Sequence, residues 1–258
     1  MRSIHRQPII LLTRPRRESR LTAHALATHG IDCIRMPLQS TRRAPRTSAL
    51  DADLLWAAAA GVQVFVSKAA VAAALAIAPA QVAAASTRIA VGRATAAALQ
   101  RLGLSAITAP GHAQDSDGVL ALAPLQQLDG VRVAIWAAPG GRERIAQVLA
   151  QRGAQLRVIA IYRRLPQRPR PAALRRLVDA NERIVLTATS NTLLEALDRA
   201  LERQRLAALR QRPLIVASER IAERARALGF ARVTTAAGAS AQALIAALED
   251  PLFTAWAV

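Results

Sequence analysis

The chain has 258 residues, 52% hydrophobic, 20% charged and only 3% aromatic, proportions that exclude disorder and a coiled coil and allow one large core or two of roughly 100–150 residues each. Cys33 is the single cysteine, so no intrachain disulfide framework exists and a reducing compartment, read as the cytoplasm, is expected. The 35 Lys+Arg against 17 Asp+Glu give a net charge of +18, a field that attracts nucleic acid, an acidic membrane face or a small polycarboxylate. Lys68 is the sole lysine and alanine abounds, so compositional bias competes with function as the origin of that charge. The longest wholly apolar run is Ala69–Ala78, well short of the ~20 residues of a membrane span. Ile9–Leu12 is too short for a signal-peptide core, and the sequence reads as soluble.

Short β-branched runs alternate with Ala/Leu/Arg stretches of helical period, the pattern of βα units around a parallel sheet. In chain order the predicted strands are Ile9–Thr13, Ile31–Met36, Val62–Ser67, Arg88–Gly92, Ala106–Ala109, Val131–Trp136, Gln155–Ile161, Arg183–Thr187, Pro213–Ser218 and Arg232–Thr235. In the helix after Asn191, Leu194, Leu197 and Leu201 share one face, and Glu195 pairs with Arg199 on another.

The pattern repeats. Arg88-Ile-Ala-Val-Gly92 with a helix to Gly103 recurs as Leu214-Ile-Val-Ala-Ser218 with a helix to Gly229. Ile9-Ile-Leu-Leu-Thr13, a helix to Gly30 and a strand to Pro37 recur as Val133-Ala-Ile-Trp136, a helix to Gly153 and a strand to Tyr162. Each copy of the second pair runs into a Pro/Arg segment, Pro37–Pro45 and Arg163–Pro171, which disfavours helix and central strand and reads as a crossing between domains. The repeats alone allow two consecutive domains, or one domain from the middle of the chain and another from its two ends.

Several fragments, taken in order, resemble the uroporphyrinogen-III synthase family. They are Leu12-Thr-Arg-Pro15 with His29-Gly30 and Met36-Pro37-Leu38; Val64-Phe-Val-Ser67 with Val71; Ala90-Val-Gly92 with Thr95 and Gly103; and Ser116-Asp-Gly118 with Leu120. Gly140-Gly-Arg-Glu143 with Leu149 and Gly153, Ile161-Tyr-Arg163, and Ser218-Glu-Arg-Ile-Ala222 through Gly229 continue the series. Ala69 departs from the family's usual Asn, Pro139 precedes the glycine pair, and Ala188-Thr189-Ser190 blurs a second Thr-Ser strand end. The resemblance implies an α/β fold of two pseudo-repeated, flavodoxin-like parallel-sheet domains joined by a two-stranded linker with a cleft between. Residues 1–38 with 168–258 would form one domain, 45–161 the other, and 39–44 with 162–167 the connections. It further implies a cofactor-free, metal-free cytoplasmic monomer that cyclises hydroxymethylbilane to uroporphyrinogen III, inverting ring D and losing water. A transient contact with the preceding pathway enzyme, but none with nucleic acid or membrane, goes with that reading.

Parallel sheets place ligands at the carboxyl ends of their strands. There the sequence offers Thr13, Arg14, Ser67, Lys68, Gly92, Arg93, Gly140, Gly141, Arg142, Thr187, Ser218 and Arg220 as substrate-binding candidates, most of them opening helices whose first N–H groups favour anions, and the fragments of the resemblance add Thr95 and Ser116. Ser67, Ser116, Thr187 and Ser218 serve equally well as N-caps, the glycines as turn formers, and Arg14, Arg93 and Arg142 as solvated charges. Tyr162, the only tyrosine, either plugs the hinge or, by the resemblance, faces the cleft and assists departure of the ring-A hydroxyl. In the second role its hydroxyl would contribute little to stability.

Other chemistries lack their residues. No GK[ST] or well-placed G-x-G-x-x-G occurs. His24 and His29 miss the i,i+4 spacing of a chelating pair, no triad is visible, and Cys33 falls in a predicted strand. A basic two-lobed nucleic-acid or polyanion binder is the competing reading, opposed by the scarcity of aromatic stacking platforms: three Trp, one Tyr and three Phe.

Overall fold

A computed structural model describes residues 8–110, 116–141 and 143–248. Among them, twelve strands occur: β1 (Ile9–Leu12), β2 (Asp32–Arg35), β3 (Gln39–Arg43), β4 (Val62–Phe65), β5 (Thr87–Ala90), β6 (Ile107–Thr108), β7 (Arg132–Ala137), β8 (Gln155–Ala160), β9 (Tyr162–Pro166), β10 (Ile184–Ala188), β11 (Pro213–Val216) and β12 (Arg232–Thr235). They form two five-stranded sheets, ordered β12-β11-β10-β1-β2 and β6-β5-β4-β7-β8, and the pair β3-β9. The chain divides into two compact units, Met1–Ser40 with Leu165–Val258, and Thr41–Arg164. No described helix is long and apolar enough to cross a membrane.

Both large sheets are parallel, as crossover helices between successive strands require. Their central strands are buried on both faces and so are apolar without alternation: Ile9-Ile-Leu-Leu12 is buried throughout, as are Ile184–Ala188 and Pro213–Val216. The edges β2 and β12 each carry exposed residues, which blunts them against pairing with another chain.

Side-chain parity sorts the first unit into two cores. Ile9, Leu11, Ile184, Leu186, Leu214 and Val216 face helices Pro171–Asp179, Asn191–Arg203 and Glu219–Ala227. Ile10, Leu12, Val185 and Ile215 face helices Arg16–Ala27 and Ala241–Ala247. In helix Asn191–Arg203 the predicted face is the buried one, and Arg199 pairs with Glu195 at 3.9 Å.

The second unit has one continuous core. It includes a fully buried polar side chain, Gln63 on β4, whose Oε1 accepts Trp136 Nε1–H at 3.0 Å and whose Nε2 donates to the Gln81 carbonyl at 2.6 Å. Both ends of the amide are thus satisfied where an unpaired one would be costly.

The sequence repeat is visible in the topology. β1 and β2 stand to β10–β12 in the first sheet as β7 and β8 stand to β4–β6 in the second. Both sheets follow the flavodoxin-like order 2-1-3-4-5, the second as a circular permutation in which β4–β6 precede β7 and β8. The expected fold class, α/β with one parallel-sheet unit built from both chain ends, is the one found.

The Pro/Arg segments read from their residues as crossings, and the resemblance implies a two-stranded linker. They pair as β3 and β9. Ala44 N–H donates to Ile161 O at 2.9 Å and Gln167 N–H to Leu38 O at 2.8 Å, so the strands run in opposite directions. Proline excludes a central strand, but a two-stranded ribbon has none. Pro37 and Pro45 stand outside β3, and Pro166 ends β9.

Candidate functional site

In each sheet the chain winds outward in opposite directions from one pair of neighbouring strands, β10 and β1 in the first unit and β4 and β7 in the second. Crevices open outside the carboxyl ends of such a pair. Thr13–Arg14 and Thr189–Ser190 lie there in the first unit, Val66–Ser67 and Ala138–Gly141 in the second.

In the first unit, Thr13 Oγ1 donates to Thr187 O at 2.9 Å and Thr187 Oγ1 donates to Leu11 O at 2.5 Å. Both threonines are buried, and this reciprocal clasp joins β1 to β10 across the switch point. Their hydroxyls are engaged inside the unit, leaving only backbone groups of these two candidates for a ligand. Arg14 is half-buried and donates from Nη1 to Ala239 O at 2.7 Å. Burial pushes its pKa below the ordinary guanidinium value, and the charge of Glu18 pushes partly back. No carboxylate lies at ion-pair distance from it among the described residues. Ser218 occupies the N-cap of Glu219–Ala227 with extended backbone, yet its side chain makes no capping bond. Arg220 is exposed beside it. The neighbouring Glu219 accepts from Arg226 Nη1 at 2.7 Å and Thr235 Oγ1 at 2.8 Å, and these bonds hold its carboxyl below the usual range.

In the second unit, Ser67 caps the helix Lys68–Ile77, accepting Ala70 N–H at 3.1 Å. Ser67 leaves β4 and Tyr162 leaves β8 on either side of β7, and the two hydroxyls meet at 3.1 Å. Tyr162 is only 1% exposed and belongs to the core. Arg164 Nη2 donates to its oxygen at 3.2 Å, with the guanidinium carbon 5.8 Å from the ring centroid. Lys68 is exposed.

The remaining candidates of the second unit lie at other strand ends. Gly92 opens the helix Arg93–Gln100 at φ +105°, a conformation L side chains rarely adopt. Behind it Arg93 is exposed and Thr95 is buried, so Thr95 supports the helix rather than facing solvent. Gly140 and Gly141 form the turn after β7. Gly140 stands at φ +68°, and a Cβ at Gly141 would stand 3.0 Å from Ala138 O, so the turn disfavours larger residues at both positions. Ser116 begins the short helix Ser116–Leu120, and Arg142 lies outside the described residues.

Two residues of these clusters were missed in the sequence. Ser190 caps Asn191–Arg203 through Leu193 N–H at 3.2 Å. A Ser immediately before a helical period announces this, but Thr187 stood nearer the predicted strand end. Arg164 shares a strand face with Tyr162 through i,i+2 spacing, a signal not drawn on because the residues of the segment read only as a connection.

A family model described as Uroporphyrinogen-III synthase HemD matches residues 21–246. Uroporphyrinogen-III synthase of Escherichia coli (strain K12) is 33% identical over 161 residues, 62% of this chain and 65% of the relative. The corresponding protein of Proteus mirabilis is 39% identical over 75 residues, 29% of this chain and 38% of the relative. The chain thus spans just under two thirds of the Escherichia coli relative and less of the other. Among solved structures, a mutant uroporphyrinogen III synthase from Thermus thermophilus aligns with TM-score 0.59 at 21% identity, covering 94% of this chain and 99% of that one. Uroporphyrinogen-III synthetase from Helicobacter pylori 26695 aligns with TM-score 0.60 at 14% identity, covering 93% and 97%. At these identities the structural likeness establishes the fold.

Proposed function

Because this chain belongs to the uroporphyrinogen-III synthase family, we propose that it cyclises hydroxymethylbilane to uroporphyrinogen III, inverting ring D and releasing water. The match over residues 21–246 carries the reading, and the chemistry of the strand ends supports it. The substrate has eight carboxylates. Arg14 offers a half-buried cation that meets no carboxylate among the described residues and uses one of its donors, on Ala239 O. The helices that follow Ser67, Gly92, Ser190 and Ser218 present first-turn N–H groups suited to anions. In this reading Arg14, Ser67, Lys68, Arg93, Ser218 and Arg220 bind through side chains, Gly92, Gly140 and Gly141 through backbone, and Thr13 and Thr187 only through backbone.

The reaction asks for positioning more than for reagents. Loss of the ring-A hydroxyl gives an azafulvene, closure on the substituted carbon of ring D gives a spiro intermediate, and its fragmentation and reclosure invert the ring. Holding the bilane in that pose supplies rate by orientation and excludes the direct closure to the type I isomer. The single cysteine supports a reducing, cytoplasmic setting.

The test is product identity. Purified protein given hydroxymethylbilane is expected to divert product from type I to type III, with no added metal or coenzyme and no effect of chelator. Formation of type I alone, or a requirement for a metal or nucleotide, would overturn the proposal.

A further inference from the structure

The hydroxyls of Ser67 and Tyr162 form one hydrogen-bonded unit whose protons can be counted. The Tyr162 oxygen accepts from Arg164 Nη2–H at 3.2 Å, and Ser67 Oγ accepts from Ala70 N–H at 3.1 Å. The two oxygens are 3.1 Å apart, so one of their two O–H protons fills that bond and the other is left over. A guanidinium only donates, so neither proton goes to Arg164. Tyr162 is 1% exposed, and Ser67 and Arg164 are the only polar partners of its hydroxyl among the described residues. Its proton therefore points to Ser67, because a buried O–H without an acceptor is costly whereas a half-buried one can meet water or a ligand. The Arg164 cation enforces the same sense by drawing the oxygen end of the phenol dipole and repelling its proton. The spare proton is thus on Ser67, which is half-buried at the positive end of helix Lys68–Ile77.

We propose that Ser67, and not Tyr162, hands a proton to the substrate, that Tyr162 stands behind it as the proton source, and that Arg164 is the positioning residue that fixes the direction of the chain. This rests on the synthase reading above. The C–O bond of the hydroxymethyl group breaks, its electron pair leaves with the oxygen, and that oxygen takes the Ser67 proton and departs as water. Ser67 is refilled from Tyr162, and the phenolate left behind faces the Arg164 guanidinium. When ring D loses the hydrogen of its free α-carbon on final closure, a proton returns along the same chain, and the net loss is one water.

The experiment compares Ser67→Ala, Tyr162→Phe, the double variant, Arg164→Met and Ser67→Thr, with circular dichroism to confirm folding. Tyr162 is the only tyrosine, so the tyrosine Fermi doublet in the Raman spectrum reports its hydrogen bonding alone. The wild type is expected to show a phenol that both donates and accepts, and Ser67→Ala one that only accepts, since Arg164 remains. Ser67→Ala and Tyr162→Phe should each slow type III formation roughly ten- to a thousandfold, within or below the range of a positioned acid. The double variant should be no slower than the slower single. Arg164→Met should lower kcat at unchanged KM, and Ser67→Thr should recover most of the rate. Multiplying effects in the double variant, a wild-type doublet of the acceptor-only type, or full activity of Ser67→Ala would overturn the proposal. A wild type that makes only type I overturns the functional reading instead, and leaves the doublet to decide the hydrogen-bond sense independently.

Discussion

Arg14 shows how one residue separates binding from folding. It meets one carbonyl, Ala239 O, and burial lowers its pKa, so the folded protein holds a cation partly out of water without an opposite charge at ion-pair distance among the described residues. Such a group weakens the fold until an anion arrives. Arg14→Met is therefore expected to melt at an equal or higher temperature while KM rises about 10- to 100-fold, the equivalent of a charge-assisted hydrogen bond of ~1.5–3 kcal/mol. A variant that melts lower and binds normally would show that Arg14 only ties down the Ala239 loop. The strand-end position of Arg14 was legible in the sequence, whereas its lack of an ionic partner was not, since its one bond reaches a residue 225 positions away. The sequence left Tyr162 open between a buried plug and a residue facing a cleft, and unchanged stability of Tyr162→Phe was expected only for the second. Its hydroxyl bonds Ser67 and Arg164 from within the core, so a cost of about 1 kcal/mol is expected instead.

At the level of elements, serines with the same extended backbone at helix starts do different things. Ser67 and Ser190 each accept the N–H three residues on, while Ser218, at φ −168° and ψ 158°, does not. Losing a cap bond costs ~0.5–2 kcal/mol, so Ser190→Ala is expected to lower Tm by several degrees at about 2–4 °C per kcal/mol for a chain of this size. Ser218→Ala should leave Tm unchanged, because its hydroxyl makes no capping bond, and should raise KM if the residue binds substrate as proposed. Thermal melts beside steady-state kinetics check both, and a Tm loss at Ser218 with normal KM would remove it from the site. The strands that build the sheets were legible because short apolar, β-branched runs alternate with longer stretches of helical period, as in βα units. The ribbon strands β3 and β9 came from the resemblance alone, as a two-stranded linker, since apart from Tyr162 the residues of Gln39-Ser-Thr-Arg-Arg43 and Tyr162-Arg-Arg-Leu-Pro166 are not buried and impose no alternation. Their pairing is set by chain reversal in space. A ribbon of two strands is marginal by itself, so its amides are expected to exchange faster than those of β1 and β4 in hydrogen-exchange mass spectrometry. Equal protection would mean that something further covers it.

For the whole molecule the question is whether +18 does anything. Of the ion pairs among the described residues, Arg210 with Asp198 and Glu202 is the partly buried network, and most others are exposed pairs such as Arg226–Glu219, worth little to stability. The excess arginines therefore cannot be explained as partners for carboxylates within the fold. If they serve the reaction, they do so through their summed field, which draws an octa-anionic substrate and raises the encounter rate before any contact forms. That effect has a kinetic signature. Screening shortens the reach of the field to ~10 Å at 0.1 M and ~3 Å at 1 M ionic strength, so kcat/KM should fall steeply with added salt while kcat, measured at saturation, stays nearly flat. If the charge is compositional, both constants are flat. Nucleic acid added at low salt separates the last possibility: a protein built for steering a small polycarboxylate binds DNA weakly, loses it with salt in proportion to the phosphates contacted, and releases it to uroporphyrinogen. DNA binding that the tetrapyrrole cannot displace would return the field, and the arginines that make it, to the polyanion-binding reading.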